Sequence, residues 1–357
     1  MAPTLVIAGY YGFGNWGDEA ALAVLTEHLR RAIPHARLIV LSHDPAQTVR
    51  LHSTDAVNRW NLLEIRRALA RASGFILGPG SLLQDATSTR SLLYYLGLLR
   101  WAQRYDLPTY LIGQGIGPLR SGRSERWVAK RLQRARLVLV RDRASFRWAK
   151  AHNINVLLGE DLALLGEASA VGERGEGRNA TLGLSLRPGL SQENLRVLRR
   201  ALCTLIEKNF KLVFLPFHAD QDLPVLNELA LPASVVEAHS PHELLRAMRS
   251  VDVVLGMRLH SLVFALVCAV PFCALSYDPK IESFLRRVEE LCECPLSWWS
   301  ASGALHEHEL ISQILELYAQ RDELRERLRR AQTPLQTAAR DSLEKAMRTM
   351  ASELSVF

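Results

Sequence analysis

TLVIAGYYGFGNWGDEAALAVLTEHLRRA, residues 4–32, decides the fold. It opens with a short apolar run ending at Gly9 and passes through a loop with glycines at 12, 14 and 17. A helical pattern then follows over Glu19–Ala32. Ala20, Leu22, Leu25, Leu29 and Ile33 recur at three- to four-residue spacing, the period of one buried helix face. Strand, glycine turn, helix is the opening of a unit that builds parallel sheets.

The same pattern repeats along the chain. ARLIVLS predicts a second strand, and a helix near 62–72 leads to the strand GFILGPGSL. A helix over 91–105 leads to PTYLIGQGIGP, and a helix over 123–136 leads to LVLVRD and a further helix over 144–152. Residues 166–179, GEASAVGERGEGRN, break the pattern with glycine and charge and read as a linker. Alternation resumes with TLGLSLR, KLVFLPFH, ASVVEAH, DVVLG and PFCALSY, separated by helices. The tail from His306 is helical, with an interruption expected at Pro334. These features predict an α/β protein of two doubly wound Rossmann-like domains facing a cleft, with C-terminal helices. The expected boundaries are 1–165 and 180–303 for the domains, 166–179 for the linker, and 304–357 for helices packing across both.

Composition narrows the function. The chain has 357 residues, 48% of them hydrophobic, enough to bury two cores. Five cysteines without zinc spacing exclude a disulfide scaffold or a structural zinc site and suit a reducing cytoplasm. The N-terminus lacks a basic segment before its apolar run, so no signal peptide is expected. The longest apolar run, 262–275, contains Pro271 and is too short to span a bilayer. Net charge is +7, and eleven basic residues between Arg120 and Lys150 stand against Glu125 and Asp142, a local net charge of +9. Such a stretch attracts phosphates or anionic headgroups. No nucleic-acid-binding motif accompanies it, and no nucleic acid is expected as a partner.

Ligands of open α/β sheets sit beyond the carboxyl ends of the strands, so the loops there carry the candidates. Gly12-x-Gly14-x-x-Gly17 has dinucleotide spacing, but the helix begins with Asp18 and Glu19, which repel a pyrophosphate where a helix dipole favours acids. Asp18 either caps this helix or presents a carboxylate to the cleft. Asn15 and Glu19 are further candidates in the loop. Gly78-Pro79-Gly80-Ser81 and the glycine run around Gln114 allow close backbone approach to a ligand. Arg141, at a strand end, either anchors an anion or pairs with a neighbouring acid. Gly256-Met257-Arg258-Leu259-His260-Ser261 places an arginine, a histidine and free N–H groups at one helix start, the composition of an anion site. His218 lies in a second polar strand end, and Lys280 adds a cation after the last strand. Trp298 and Trp299 either stack a sugar ring or pack in the core. No metal-ligand constellation occurs, so no metal is expected.

GYYGFGNWGDEA, GPGSLLQD, GQGIGP, VRDRAS, PFHADQD, GMRLHS and YDPK, in this order from about residue 5 to 285, resemble the polysaccharide pyruvyl transferase family, in particular its bacterial branch acting on cell-wall polymers. Pro79 departs from the glycine common there. The resemblance implies a GT-B-like fold. It also implies transfer of the pyruvyl group of phosphoenolpyruvate to a sugar of a cell-wall or exopolysaccharide precursor, giving a pyruvate ketal and phosphate. Phosphoenolpyruvate is then the donor substrate, and no cofactor is implied. The family's donor residues match Arg141, Arg258, Leu259 through its backbone, and His260, with Lys280 beside them. The donor would lie on the second domain and the acceptor on the first. His260 is the candidate acid and Asp18 the candidate base, roles that could be exchanged. A polyprenyl-diphosphate-linked acceptor would bring a cytoplasmic enzyme into peripheral contact with an anionic membrane at its inner face. The alternatives are a GT-B nucleotide-sugar glycosyltransferase, an NAD-dependent oxidoreductase using Asp44, or a non-catalytic protein on the same fold.

Overall fold

The computed structural model describes residues 2–86, 88–167 and 179–354, so most of the expected linker lies outside the described residues. The chain divides into two units, Met1–Leu165 with Gln336–Phe357, and Gly166–Leu335.

The first unit contains β1 (Thr4–Ala8), α1 (Trp16–Ala32), β2 (Arg37–Ser42), α2 (Pro45–His52), β3 (Asp55–Asn58), α3 (Leu62–Ala70), β4 (Gly74–Leu77) and β5 (Gly80–Leu83). It continues through α4 (Thr89–Arg104), β6 (Thr109–Ile116), α5 (Gly122–Leu132), β7 (Leu137–Val140), α6 (Arg143–Ala151) and β8 (Leu157–Leu158). The strands form one sheet in the order β3-β2-β1-β4-β6-β7-β8, with β5 also on β6. All of these pairings are parallel. The order reverses between β1 and β4, which makes that point the crevice of the sheet.

Parallel strands covered on both faces read as continuous apolar runs, and these do. Val6, Ala8, Phe75 and Leu77 face a core shared with Ile65 of α3, Leu92 and Leu99 of α4, Val128 and Leu132 of α5 and Ala149 of α6. Leu5, Ile7, Ile76 and Tyr110 face the opposite core, shared with Leu22, Leu25 and Leu29 of α1.

The second unit contains β9 (Thr181–Ser185), α7 (Gln192–Glu207), β10 (Lys211–Phe214), α8 (Ala219–Leu229), β11 (Ala233–Val235) and α9 (Pro241–Arg249). It continues through β12 (Val253–Gly256), α10 (Leu259–Val267), β13 (Phe272–Ser276), α11 (Pro279–Cys292), β14 (Trp298–Ser300) and α12 (Glu307–Ala319). Its sheet runs β11-β10-β9-β12-β13-β14, all parallel, and reverses between β9 and β12.

Three local points are decided by the structure. The helix α13 (Arg321–Leu354) runs unbroken through Pro334, which is exposed. A proline ring removes one helical hydrogen bond, and the buried stripe of Leu328, Ala331, Leu335, Ala339 and Leu343 offsets that loss. Trp298 and Trp299 form the edge strand β14, and Trp299 packs against the core of the second unit. Asp44 caps α2 by accepting from Gln47 N at 2.9 Å, so its carboxylate serves a helix rather than a ribose.

Residues of α13 from Gln336 onward belong to the first unit, where Leu343, Met347, Met350 and Leu354 complete the core around α1. Leu343 is fully buried. Leu343→Ala should therefore cost about 2–5 kcal/mol, read as a lower midpoint of urea unfolding with an unchanged slope.

Candidate functional site

In the first unit the loops beyond β1, β4, β6 and β7 meet at the sheet reversal. Asn15, not Asp18, caps α1: its side chain accepts from Gly17 N at 3.2 Å. Asn15 Nδ2 also donates to Asp18 Oδ2 at 2.6 Å. Asp18 is thereby released from capping, and its Oδ1 lies 3.5 Å from where a Cβ on Gly80 would be. Glu19 turns inward, where Oε1 accepts from Gly12 N at 2.7 Å and Oε2 bonds His52 Nε2 at 2.8 Å. Both side chains of the Glu19–His52 pair are 1% exposed, so Glu19 organises the loop from beneath. Gly12 has φ +75, and a Cβ there would lie 2.1 Å from Ser42 Oγ, so only glycine fits.

Arg59 is buried below the same loop. Nη1 donates to Gly9 O at 2.9 Å and Nη2 to Tyr95 Oη at 3.2 Å. Its guanidinium lies 4.7–5.5 Å from the rings of Phe13, Trp60, Tyr94 and Tyr95, a cation held by aromatic faces. Tyr11, also beneath the loop, has its hydroxyl pKa pushed well up by burial and then by Asp18 and Glu19.

Across the reversal, Gln114 Nε2 donates to Gly78 O, while its buried Oε1 makes no hydrogen bond to the described residues. Arg141 donates from Nη1 to Asp161 Oδ2 at 2.7 Å and from Nη2 to Ser81 Oγ at 2.6 Å. The acid paired with Arg141 is thus Asp161, twenty residues on, rather than the adjacent Asp142. A Cβ at Gly115 would come 2.9 Å from Ser81 Oγ and 3.3 Å from Arg141 Nε, which explains the glycine. Asn15, Asp18, Gly80, Ser81, Gln114 and Arg141 therefore gather at one edge of the first unit.

Arg258, Leu259, His260, His218 and Lys280 belong to the second unit. Arg258 is the N-cap of α10 and is gripped by Asp222. Nε and Nη2 donate to that carboxylate at 2.5–3.0 Å, and Nη2 also donates to Gln221 Oε1 at 3.0 Å. Nη1 makes no hydrogen bond to described residues. Asp222 is fully buried and also accepts from Phe217 N at 3.0 Å and His218 N at 2.9 Å. One carboxylate thus orients the arginine and pins the loop between β10 and α8. Leu259, as the first residue of α10, has no intrahelical acceptor for its N–H.

His218 sits beside Arg258 in the second unit, and its buried Nδ1 has no hydrogen-bond partner among the described residues. Burial first, and then the Arg258 guanidinium, lowers its pKa, which favours a neutral imidazole. Lys280 lies in the first turn of α11, which Asp278 caps by accepting from Lys280 N at 3.0 Å.

Residue spacing does not single out Asp222, Arg59, His52 or Asp161 as organising residues. PFHADQD did signal a polar strand end, but spacing does not reveal which of its acids turns inward. Among the described residues, no group of three or more His, Cys, Asp or Glu is placed to hold a metal ion.

Fold and strand-end loops define a GT-B-like α/β protein. The chain belongs to the polysaccharide pyruvyl transferase family, whose model matches residues 15–279. Membership makes it a transferase of polysaccharide biosynthesis. No curated protein matches the chain. Solved structures share its fold at low identity. HepE of Anabaena, in complex with UDP and glucose, is 12% identical with a TM-score of 0.61, over 99% of this chain and 100% of that one. MnaA of S. aureus, solved with UDP, is 11% identical with a TM-score of 0.66, over 95% and 94%. The UDP-GlcNAc 2-epimerase of Neisseria meningitidis, bound to UDP-GlcNAc, is 11% identical with a TM-score of 0.60, over 96% and 100%.

Removing Asp222 strands a mostly buried guanidinium and two backbone N–H groups. Asp222→Ala should cost about 3–5 kcal/mol, measured by chemical denaturation. Arg258→Met/Asp222→Leu should recover only the part due to the unpaired guanidinium, because the N–H groups of Phe217 and His218 still lack their acceptor.

Proposed function

We propose that this protein transfers the pyruvyl group of phosphoenolpyruvate to a saccharide of a cell-wall or exopolysaccharide precursor, forming a cyclic ketal and releasing phosphate. Arg258 carries this reading: a guanidinium held rigidly by a buried carboxylate, with Nη1 left for a ligand, at the N-terminus of the helix that bears His260.

Phosphoenolpyruvate presents a phosphate and a carboxylate. Arg258, the Leu259 N–H and Lys280 supply directed donors for such a ligand, and Arg141 is assigned to it by family resemblance. His260 protonates C3, which leaves C2 as an oxocarbenium-like centre. A sugar hydroxyl adds to C2 and gives its proton to Asp18. The C2–O bond to phosphate then breaks, and a second hydroxyl of the same sugar closes the ring as its proton is lost. Acid and base are each worth about 10²–10⁴-fold.

An acceptor carried on a polyprenyl diphosphate places the enzyme at an anionic surface. Among the described residues, no helix is long and apolar enough to cross a membrane. Nine of the eleven basic residues between 120 and 150 are exposed, and only Arg141 is buried. Arg131 is tied to Gln103 by two hydrogen bonds, while burial and then Arg134 and Arg100 lower its pKa, a sign of converging positive charge. Trp127 packs against the core with Arg123 stacked on it at 4.7 Å. Trp60, Leu62 and Leu63 are each more than half exposed at the start of α3, which covers the same sheet face as α5.

Phosphate release from phosphoenolpyruvate should require a saccharide acceptor and fall by at least about 10²-fold in His260→Ala, with the melting temperature retained. Asp18→Asn should cost a similar factor, because Asn15 and not Asp18 caps α1. Full activity in both would remove them from the chemistry. Binding to vesicles containing phosphatidylglycerol should fall steeply with salt. Replacing Arg123, Lys130 and Arg134 with Gln should weaken it by about 1 kcal/mol per cation while sparing turnover of a soluble acceptor.

A further inference from the structure

Arg258 does not bring net charge to its site, because the fully buried Asp222 cancels it. A donor with two anionic groups needs uncompensated positive charge in the same place. Arg187 meets that requirement.

The second sheet reverses between β9 and β12, where ligands of such sheets bind. Ser185 of β9 pairs in register with Gly256 of β12, and Met257 N donates to Ser185 O at 2.7 Å. Arg187 lies two residues beyond Ser185, and Arg258 two beyond Gly256. The two arginines thus leave neighbouring strand ends on either side of the reversal. Leu182, Leu184 and Leu186 face one core, so alternation sends Ser185 and Arg187 to the opposite face. A Cβ at Gly183, on that same face, would meet Val251 and Val254.

Arg187 is held but not neutralised. Its guanidinium lies 4.1 Å from the centroid of the Tyr277 ring. Tyr277 follows β13, and β13 is separated from β9 by β12. Strands two apart are about 9–10 Å distant, so the stack arches over the end of β12, from which Arg258 and α10 emerge. Arg187 Nε is buried without a hydrogen-bond partner, and among the described residues Arg187 has no ion-pair partner. Ser185 Oγ is likewise buried, with no hydrogen-bond partner among the described residues. Buried polar atoms are normally satisfied, so two orphans at one strand end point to a ligand that satisfies them.

We propose that Arg187, held over the Tyr277 ring, binds one of the two anionic groups of the donor and supplies net positive charge that Arg258 lacks. This rests on phosphoenolpyruvate as the donor. A stacked guanidinium keeps its planar fork in place, suited to two parallel bonds to carboxylate or phosphate. Tyr277 holds that plane and is a positioning residue.

The test is calorimetric titration of phosphoenolpyruvate into wild type, Arg187→Gln, Arg187→Lys, Tyr277→Phe and Tyr277→Ala, with melting temperature as the control for folding. Wild type should bind. Arg187→Gln should lose about 10- to 100-fold in affinity, the loss of a charge-assisted hydrogen bond. Arg187→Lys should fall between the two, since charge survives and the fork does not. Tyr277→Phe should bind like wild type and Tyr277→Ala several-fold more weakly. Wild-type affinity in Arg187→Gln would overturn the assignment of Arg187 while leaving the donor intact. Failure of wild type to bind phosphoenolpyruvate would overturn the donor, and this assignment with it.

Discussion

The carboxylate of Asp222, fully buried, accepts from two backbone N–H groups and the Arg258 guanidinium. Burying the carboxylate and most of the guanidinium costs several kcal/mol per ion, which their attraction offsets only with close, directed hydrogen bonds such as these. The result is a strand-end loop and an arginine locked in one geometry. That rigidity is what anion recognition requires, since a guanidinium already oriented loses little entropy when a ligand arrives. The pairing also removes charge, so the electrostatic part of recognition has to come from elsewhere in the unit. Arg187 and the N-terminus of α10 can contribute it, beside Lys280.

The first unit uses a related device. Glu19 is buried with His52 and accepts from Gly12 N, which fixes the glycine loop from beneath. Arg59, bonded to Gly9 O and surrounded by aromatic rings, holds the same loop from its other end. Asp18, one residue before Glu19, is left at the edge of the loop with Asn15 as its neighbour. Adjacent acids thus take different parts because successive helix residues point about 100° apart.

The strands and most helices were legible because they rest on hydrophobic period, and both faces of each sheet are covered. Asp222 was not legible as the partner of Arg258, which lies thirty-six residues away on a different strand end. Arg187 was hidden for the same reason, as its meaning depends on Tyr277 across an intervening strand. Motif spacing reports what is local, whereas strand order decides which loops become neighbours. Pro334 shows the converse: a strong local signal for a break is overridden by the buried stripe beside it. The glycine spacing after β1 suggested a dinucleotide and the structure explains it otherwise, by the crowding of Gly12 against Ser42.

The central claim is that a pyruvyl group passes from phosphoenolpyruvate to a sugar. Mass spectrometry of a saccharide acceptor incubated with the protein and phosphoenolpyruvate tests it most directly. The account predicts a product heavier by pyruvate less one water, bridged between two hydroxyls of one sugar. An acceptor unchanged by phosphoenolpyruvate that instead gains a hexose from a nucleotide sugar would contradict it.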